Sequence, residues 1–186
     1  MRIILLSGGA DSTLLAHRHR DTANIICAFV NYGQPAAREE MKAAMAIAAR
    51  CKLPIRVLLS AIGCHRMRTG PGITGPRESP GRNLALLALV ASHYPDSELL
   101  IGCNSDDARD YPDCRPGFIV ATNVVLSLCC NARVSAPLIE LDKGQIMEEL
   151  PESLWGLCWT CYQPEDGKPC GTCNSCIEAA ISQLPF

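Results

Sequence analysis

The chain has 186 residues, 48% of them apolar, and 17 Lys and Arg stand against 19 Asp and Glu for a formal net charge of −2. That length and composition suit a globular fold with a sizeable core, and the charge balance lacks the basic excess that marks nucleic-acid binders. No apolar run approaches membrane-spanning length, and the N-terminus enters a strand and a site motif directly, so no cleaved signal peptide is expected.

Residues 3–6, Ile-Ile-Leu-Leu, form the first expected strand. Ser7-Gly8-Gly9-Ala10-Asp11-Ser12-Thr13 follows, and a helix is expected over residues 12–20. Adjacent glycines let the backbone turn sharply and approach a ligand closely. The helix behind them aims free N–H groups and its positive dipole end at the turn. Ser12 and Thr13 add hydroxyl donors. Such a turn suits a phosphate, yet it lacks the Lys of the G-x-x-x-x-G-K-[ST] loop. A Gly-Gly pair alone reads as an ordinary strand-to-helix turn, and Asp or Ser beside it as an N-cap.

Further strands are expected over residues 25–30, 55–59, 99–102 and 134–136, with helices over 36–50, 84–93 and 118–130. Alternating strands and helices imply a Rossmann-like α/β fold, a parallel five-stranded sheet with helices on both faces. Ligands in such sheets bind at the carboxyl ends of strands, near the point where strand order reverses. Residues 60–81, rich in Gly, Pro and Arg, read as a long loop, and residues 102–116 as a polar, acidic one. Long loops of this kind are usually functional or disordered.

Of twelve cysteines, Cys161, Cys170, Cys173 and Cys176 read C-x8-C-x2-C-x2-C. Four thiolates satisfy tetrahedral zinc and leave no open position for water, so a structural role is favoured. An iron–sulfur cluster and a redox C-x-x-C pair are the alternatives. Cys158 is either a replacement ligand or a buried small residue. Cys27, Cys51, Cys64, Cys103, Cys129 and Cys130 show no partner pattern and read as structural. With no signal segment, thiols or a metal are expected rather than disulfides, and the cytoplasm is the expected compartment.

The string at residues 7–13 resembles the PP-loop of the N-type ATP pyrophosphatases, which split ATP into AMP and pyrophosphate. Taken with Asn31-Tyr32-Gly33-Gln34, Pro80-Gly81-Arg82-Asn83, Tyr111-Pro112-Asp113-Cys114-Arg115, Ala136-Pro137-Leu138, Lys143 and Thr160-Cys161-Tyr162, the chain resembles the 7-cyano-7-deazaguanine synthase family. The S-G-G-x-D-S string is shared by many enzymes; Y-P-D-C-R together with the cysteine run is far more specific.

The resemblance implies an ATP-dependent ligase that converts 7-carboxy-7-deazaguanine and ammonia to the nitrile preQ0 through adenylated intermediates. It implies ATP and Mg²⁺, structural Zn²⁺, a homodimer, and no nucleic-acid or membrane partner. It divides the chain into a PP-loop ATP-binding α/β domain, residues 1–157, and a zinc subdomain packed on it, residues 158–186. It assigns nucleotide binding to Ser7, Gly8, Gly9, Asp11, Ser12, Thr13, Asn31, Tyr32, Gly33, Gln34 and Arg82. Asp11, Ser12 and Lys143 take the catalytic roles, with Asp11 an alternative ligand for Mg²⁺. Asn83, Asp107, Tyr111 and Asp113 take the deazaguanine, and the four tail cysteines take zinc.

The chain departs from the family's pattern at Pro35-Ala36-Ala37, where basic residues are usual. It departs again at Ser105-Asp106-Asp107-Ala108-Arg109-Asp110, where Glu, Thr-Asp and Phe-Ser-Gly are usual. The second departure leaves open an amide endpoint or another carboxylate substrate. A PP-loop tRNA-modifying enzyme is a further alternative, although the charge balance opposes it. A zinc-stabilised nucleotide-binding module is the non-enzymatic one.

Overall fold

A computed structural model describes residues 1–60 and 81–181. The expected loop over residues 60–81, with Cys64 and Pro80, lies outside the described residues apart from its two ends. In chain order the elements are β1 (Arg2–Leu5), α1 (Ala10–Arg18), β2 (Ile25–Asn31), α2 (Ala37–Arg50), β3 (Ile55–Leu59), α3 (Arg82–His93) and β4 (Glu98–Leu100). Then follow α4 (Ser105–Asp110), a 3-10 turn (Pro112–Cys114), α5 (Pro116–Ser127), β5 (Arg133–Ser135), α6 (Lys143–Glu149), α7 (Glu152–Trp155) and α8 (Asn174–Ile181).

The strands form one parallel sheet in the order β3-β2-β1-β4-β5. From β1 the chain moves outward through β2 to β3, then crosses back and adds β4 and β5 on the other side. That reversal opens a crevice between the carboxyl ends of β1 and β4, where ligands of such sheets bind.

Period-two alternation sends successive strand residues to opposite faces. Ile4, Cys27, Phe29 and Leu100 pack against Leu14, Leu15, Ala44, Ile47 and Ile146, which come from α1, α2 and α6. Ile3, Ala28, Val30, Leu99 and Ile101 pack against Leu87, Val90 and Leu126, from α3 and α5. Both faces are covered, which is why β1 and β2 read as nearly continuous apolar runs. Each fully buried Ile or Leu contributes about 1.5–3 kcal/mol relative to exposure.

The structure adds α4, α6, α7 and α8 to the expected helices. The acidic loop over residues 102–116 contains α4, started by Asn104, whose side chain accepts the Asp107 N–H. A six-residue polar helix has no apolar stripe, so only its cap could betray it. α6 is likewise announced by a capping box, Asp142 with Gln145, rather than by periodicity.

Gly8 is required twice over. Its φ is +92°, and a Cβ there would lie 2.8 Å from Ala43 Cβ and 2.9 Å from the Glu40 carbonyl oxygen. The turn after β1 therefore rests its bare Cα on α2, whose Ala43 and Ala44 leave the room. Gly8→Ala is expected to cost about 1–3 kcal/mol through overpacking, and more from the positive φ. Thermal unfolding checks this, and a wild-type midpoint would contradict the packing.

One side of α5 has no cover among the described residues: Val120, Val124, Val125 and Leu128 are 65%, 57%, 51% and 83% exposed. No helix of the described residues is long and apolar enough to cross a membrane.

Candidate active site

The turn at the end of β1 is shaped by its own hydroxyls. Ser12 Oγ donates to the Gly9 carbonyl at 3.0 Å and lies 3.1 Å from Ser7 Oγ. Thr13 Oγ1 donates to the same carbonyl at 2.8 Å, and the Gly9 N–H donates to Ser7 Oγ at 3.4 Å. Thr13 is fully buried, so its hydroxyl serves the loop. The N-cap of α1 is Gly9, and no side chain caps it. The first-turn N–H groups thus have no intrahelical or side-chain acceptor and point out of the helix end. A helix start in that state is an anion site.

Beside it lies a four-residue polar cluster drawn from three elements. Lys143 Nζ, at the start of α6, is 3.1 Å from Asp11 Oδ2 and 3.4 Å from Asp107 Oδ1. Asn104 Nδ2 donates to Asp11 Oδ1 at 2.9 Å and to Asp107 Oδ2 at 2.8 Å. Burial opposes the Lys143 charge, but Asp11 and Asp107 outweigh it and hold the ammonium above the usual lysine range. Lys143 is therefore a fixed cation, suited to a phosphate or a developing negative charge and unsuited to act as a base. Burial pushes the Asp107 carboxyl up, and Asp11 adds to the shift while Lys143 resists it.

The placement of Lys143 is over-determined. Its backbone N–H donates to Asp106 Oδ2 at 2.9 Å, and the Ser105 N–H donates to the Leu141 carbonyl at 2.8 Å. Asp106 also pairs with Arg109 at 3.0 Å. Gly102, on the exit from β4, passes so close to α1 that a Cβ would lie 3.1 Å from both Asp11 Cβ and the Ser12 nitrogen. Neither Gly102 nor Asn104 stood out in the sequence. The nearest signal is the apolar run Leu99-Leu100-Ile101, whose end they lie close to.

The other expected site residues fall into two groups. Asn31 and Gln34 build the turn after β2. Asn31 Oδ1 accepts the Gly33 N–H at 3.0 Å, and Gln34 Oε1 accepts the Tyr32 N–H at 2.9 Å. Gln34 Nε2 donates to the Val30 carbonyl at 3.3 Å and to Glu40 Oε2 at 2.8 Å. Gln34 is buried, so it shapes the turn that presents Tyr32 and Gly33. Asn83 and Asp113 meet each other: the Asn83 N–H donates to Asp113 Oδ2 at 3.3 Å and Asn83 Nδ2 to the Asp113 carbonyl at 3.2 Å. They lock the start of α3 to the 3-10 turn.

Arg82, on the same helix start, keeps its charge against burial with help from Tyr32, Tyr162 and Asp113. Desolvation pushes the Tyr162 phenol up to about 12, against the pull of Lys143 and Arg82. Tyr111 is pushed up by burial and by Asp107. Arg82 and Lys143 thus both act electrostatically on Tyr162, which stays 48% exposed. Tyr162 comes from the cysteine-rich segment, which extends the site beyond the α/β core.

The sulfurs of Cys161, Cys170, Cys173 and Cys176 all lie within 4.8 Å of one another. The Gln163 and Cys170 N–H groups each donate to Cys161 Sγ at 3.3 Å, and the Cys173 N–H donates to Cys170 Sγ at 3.4 Å. Burial opposes it, yet donors from Thr172 and Cys173 bring the Cys170 thiol down to about 6. Four converging sulfurs with N–H support are a donor set for a metal ion. Cys158 stands apart, donating to Thr13 Oγ1 and to the Leu154 carbonyl, each at 3.4 Å. Trp159 ties the cluster to the glycine turn: its N–H donates to the Gly8 carbonyl at 2.9 Å, and its Nε1 to the Cys161 carbonyl at 2.7 Å.

The family described as Queuosine biosynthesis protein QueC matches residues 1–66 and 76–181. This chain belongs to the QueC family. A 7-cyano-7-deazaguanine synthase of Anaeromyxobacter sp. (strain Fw109-5) is 33% identical over 205 residues, covering 94% of this chain and 88% of that protein. Another, of Koribacter versatilis (strain Ellin345), is 34% identical over 203 residues, covering 94% and 85%.

Among solved structures, the fold is similar to that of the U34-tRNA thiolase NcsA from Methanococcus maripaludis, at a TM-score of 0.57 and 15% identity. That match covers 98% of this chain and 64% of the thiolase. NMN synthetase from Francisella tularensis gives a TM-score of 0.54 at 15% identity, covering 100% and 78%. At such identity the likeness is one of fold alone. The QueC match and the 7-cyano-7-deazaguanine synthase relatives identify the chain as an enzyme of 7-deazaguanine and queuosine biosynthesis rather than a passive binding module.

Proposed function

We propose that this member of the QueC family is a 7-cyano-7-deazaguanine synthase, converting 7-carboxy-7-deazaguanine, ATP and ammonia to the nitrile. The observation that carries the reading is the uncapped α1 start set against Lys143, Asp11 and Asp107 at the β1/β4 crevice, in a chain whose relatives bear that name.

The chemistry follows from the charges. A carboxylate is a poor electrophile. Its oxygen attacks the α-phosphorus of ATP, the bond to the bridging oxygen breaks, and pyrophosphate leaves. Ammonia then displaces AMP from the acyl-adenylate and gives the amide. A second ATP adenylates the amide oxygen with loss of pyrophosphate; AMP then leaves with that oxygen, the nitrogen gives up its two protons, and the nitrile forms. The protein's share is positioning and electrostatic stabilisation.

In this reading Ser7, Gly8, Gly9 and Ser12 form the pyrophosphate cradle with the α1 N–H groups. Thr13 and Gln34 hold the cradle and the neighbouring turn from behind. Asn31, Tyr32 and Gly33 flank the nucleotide, and Arg82 pairs with a phosphate or the substrate carboxylate. Lys143 stabilises charge at the reacting phosphate. Tyr111 and Asp107 face the deazaguanine, and Asn83 and Asp113 fix the Tyr111 segment. The Asp11 carboxylate, beside the cradle, fits Mg²⁺, which supplies charge neutralisation on the phosphates. The four cysteines fit structural Zn²⁺, whose chemistry here is cross-linking.

We further infer a cytoplasmic homodimer with no nucleic-acid partner. The uncovered α5 face is of the kind a second copy covers. We keep residues 1–157 as the ATP-binding part and 158–186 as the zinc-binding part; the Trp159 bond to the Gly8 carbonyl supports their contact.

AMP release tests the reading. With zinc-loaded protein, Mg-ATP and ammonium, AMP and pyrophosphate are expected only when 7-carboxy-7-deazaguanine is added. ADP and phosphate, or intact ATP, would overturn it.

A further inference from the structure

Asn104 is fully buried, and each of its polar atoms has a partner. Its Oδ1 accepts the Asp107 N–H at 2.9 Å, while Nδ2 donates to Asp11 at 2.9 Å and to Asp107 at 2.8 Å. The bonding pattern fixes which way the amide points: the N–H needs an acceptor, and the two carboxylates need donors. Capping α4 requires only the acceptor, which Ser, Thr or Asp provides as well. Two donated hydrogens joining carboxylates of different elements go beyond a cap.

We propose that Asn104 is a positioning residue for adenylation, holding Asp11 and Asp107 at a set spacing while Lys143 acts on the phosphates. The inference rests on the ligase reading above. Two neighbouring carboxylates repel, and each needs donors to stay charged and in place. With no nucleotide present, Lys143 and Asn104 share that task. Once Lys143 turns toward phosphate oxygens, its hold on both carboxylates weakens, and the Asn104 amide is the bridge that stays. Asn104 therefore acts after nucleotide has bound. Its loss appears in kcat for AMP formation and leaves the ATP KM nearly unchanged.

Two variants separate this from a capping role. Asn104→Ser keeps an acceptor for the Asp107 N–H but has a single O–H donor on a shorter side chain, so it cannot bridge both carboxylates. Asn104→Asp keeps the cap and the volume and sets a third carboxylate against the other two. With 7-carboxy-7-deazaguanine, ammonium and Mg-ATP, kcat for AMP formation is expected to fall about ten- to a hundredfold in Asn104→Ser, the scale of charge-assisted hydrogen bonds. It falls further in Asn104→Asp, and the ATP KM stays within about threefold for both. Thermal melts establish that each variant is folded; if one is not, the other gives the result alone. Wild-type kcat in a folded variant, a raised KM at unchanged kcat, or unfolding of both variants would reduce Asn104 to a structural part and overturn the proposal. Absence of AMP with the wild-type chain would instead defeat the ligase reading.

Discussion

Asp11→Ala abolishes AMP formation and leaves the chain folded: that is the first expected result. Asp11 sits on the opening turn of α1 with one oxygen toward Lys143 and the other toward Asn104. The buried anchor of that helix is elsewhere, in Leu14, Leu15 and Ala16, so truncating Asp11 removes no core packing. It does remove one of two anions that hold the Lys143 ammonium at the crevice, and the carboxylate that fits Mg²⁺ beside the phosphates. Deleting one element of a preorganised electrostatic site costs about a hundred- to a thousandfold in kcat. Both losses act here, so the effect belongs at or beyond the upper end. AMP formation together with a thermal melt reads the result. A folded variant with activity within about tenfold of wild type would remove Asp11 from the reaction.

The second large effect is expected at the cysteine cluster. Cys173→Ala leaves three sulfurs around a centre built for four. Binding of structural zinc contributes about 10–16 kcal/mol in zinc-finger peptides, and that binding energy is folding energy. Among the described residues, the cluster's apolar neighbours are Trp159 and its own cysteines, so the metal is expected to carry much of this segment's order. Cys173→Ala is therefore expected to yield insoluble or metal-free protein. AMP formation should fail with it, because this segment bonds to the glycine turn through the Trp159 N–H and the Gly8 carbonyl. Metal content and solubility report the outcome. A soluble, fully active Cys173→Ala would refute a structural metal centre.

The parts of the fold with apolar patterning were legible in the sequence. Residues 3–6 and 25–30 are buried on both faces of a parallel sheet, so their strands appear as unbroken apolar runs. The glycine turn after β1 was legible too, because Gly-Gly between strand and helix has few other uses. What stayed hidden was polar and short. α4 has no apolar stripe, and its start depends on the side chain of Asn104. That residue's second task, bridging Asp11 and Asp107, depends on a contact across 93 positions. The close pass of Gly102 against α1 depends likewise on strand order, which places β4 beside β1.

The expected site residues divide in a way that spacing does not reveal. Asp11, Asp107 and Lys143 converge. Thr13, Gln34, Asn83 and Asp113 spend hydrogen bonds on the loops around them. A motif records which residues a site needs and is silent on which face the ligand and which hold the frame.

The most direct test of the central claim is the mass of the product. Zinc-loaded protein is incubated with 7-carboxy-7-deazaguanine, excess Mg-ATP and ammonium, and the deazaguanine species are resolved by mass spectrometry. The account predicts the nitrile, with AMP released at both activation steps. Accumulation of the amide as the sole end product, or recovery of the unchanged acid, would contradict it.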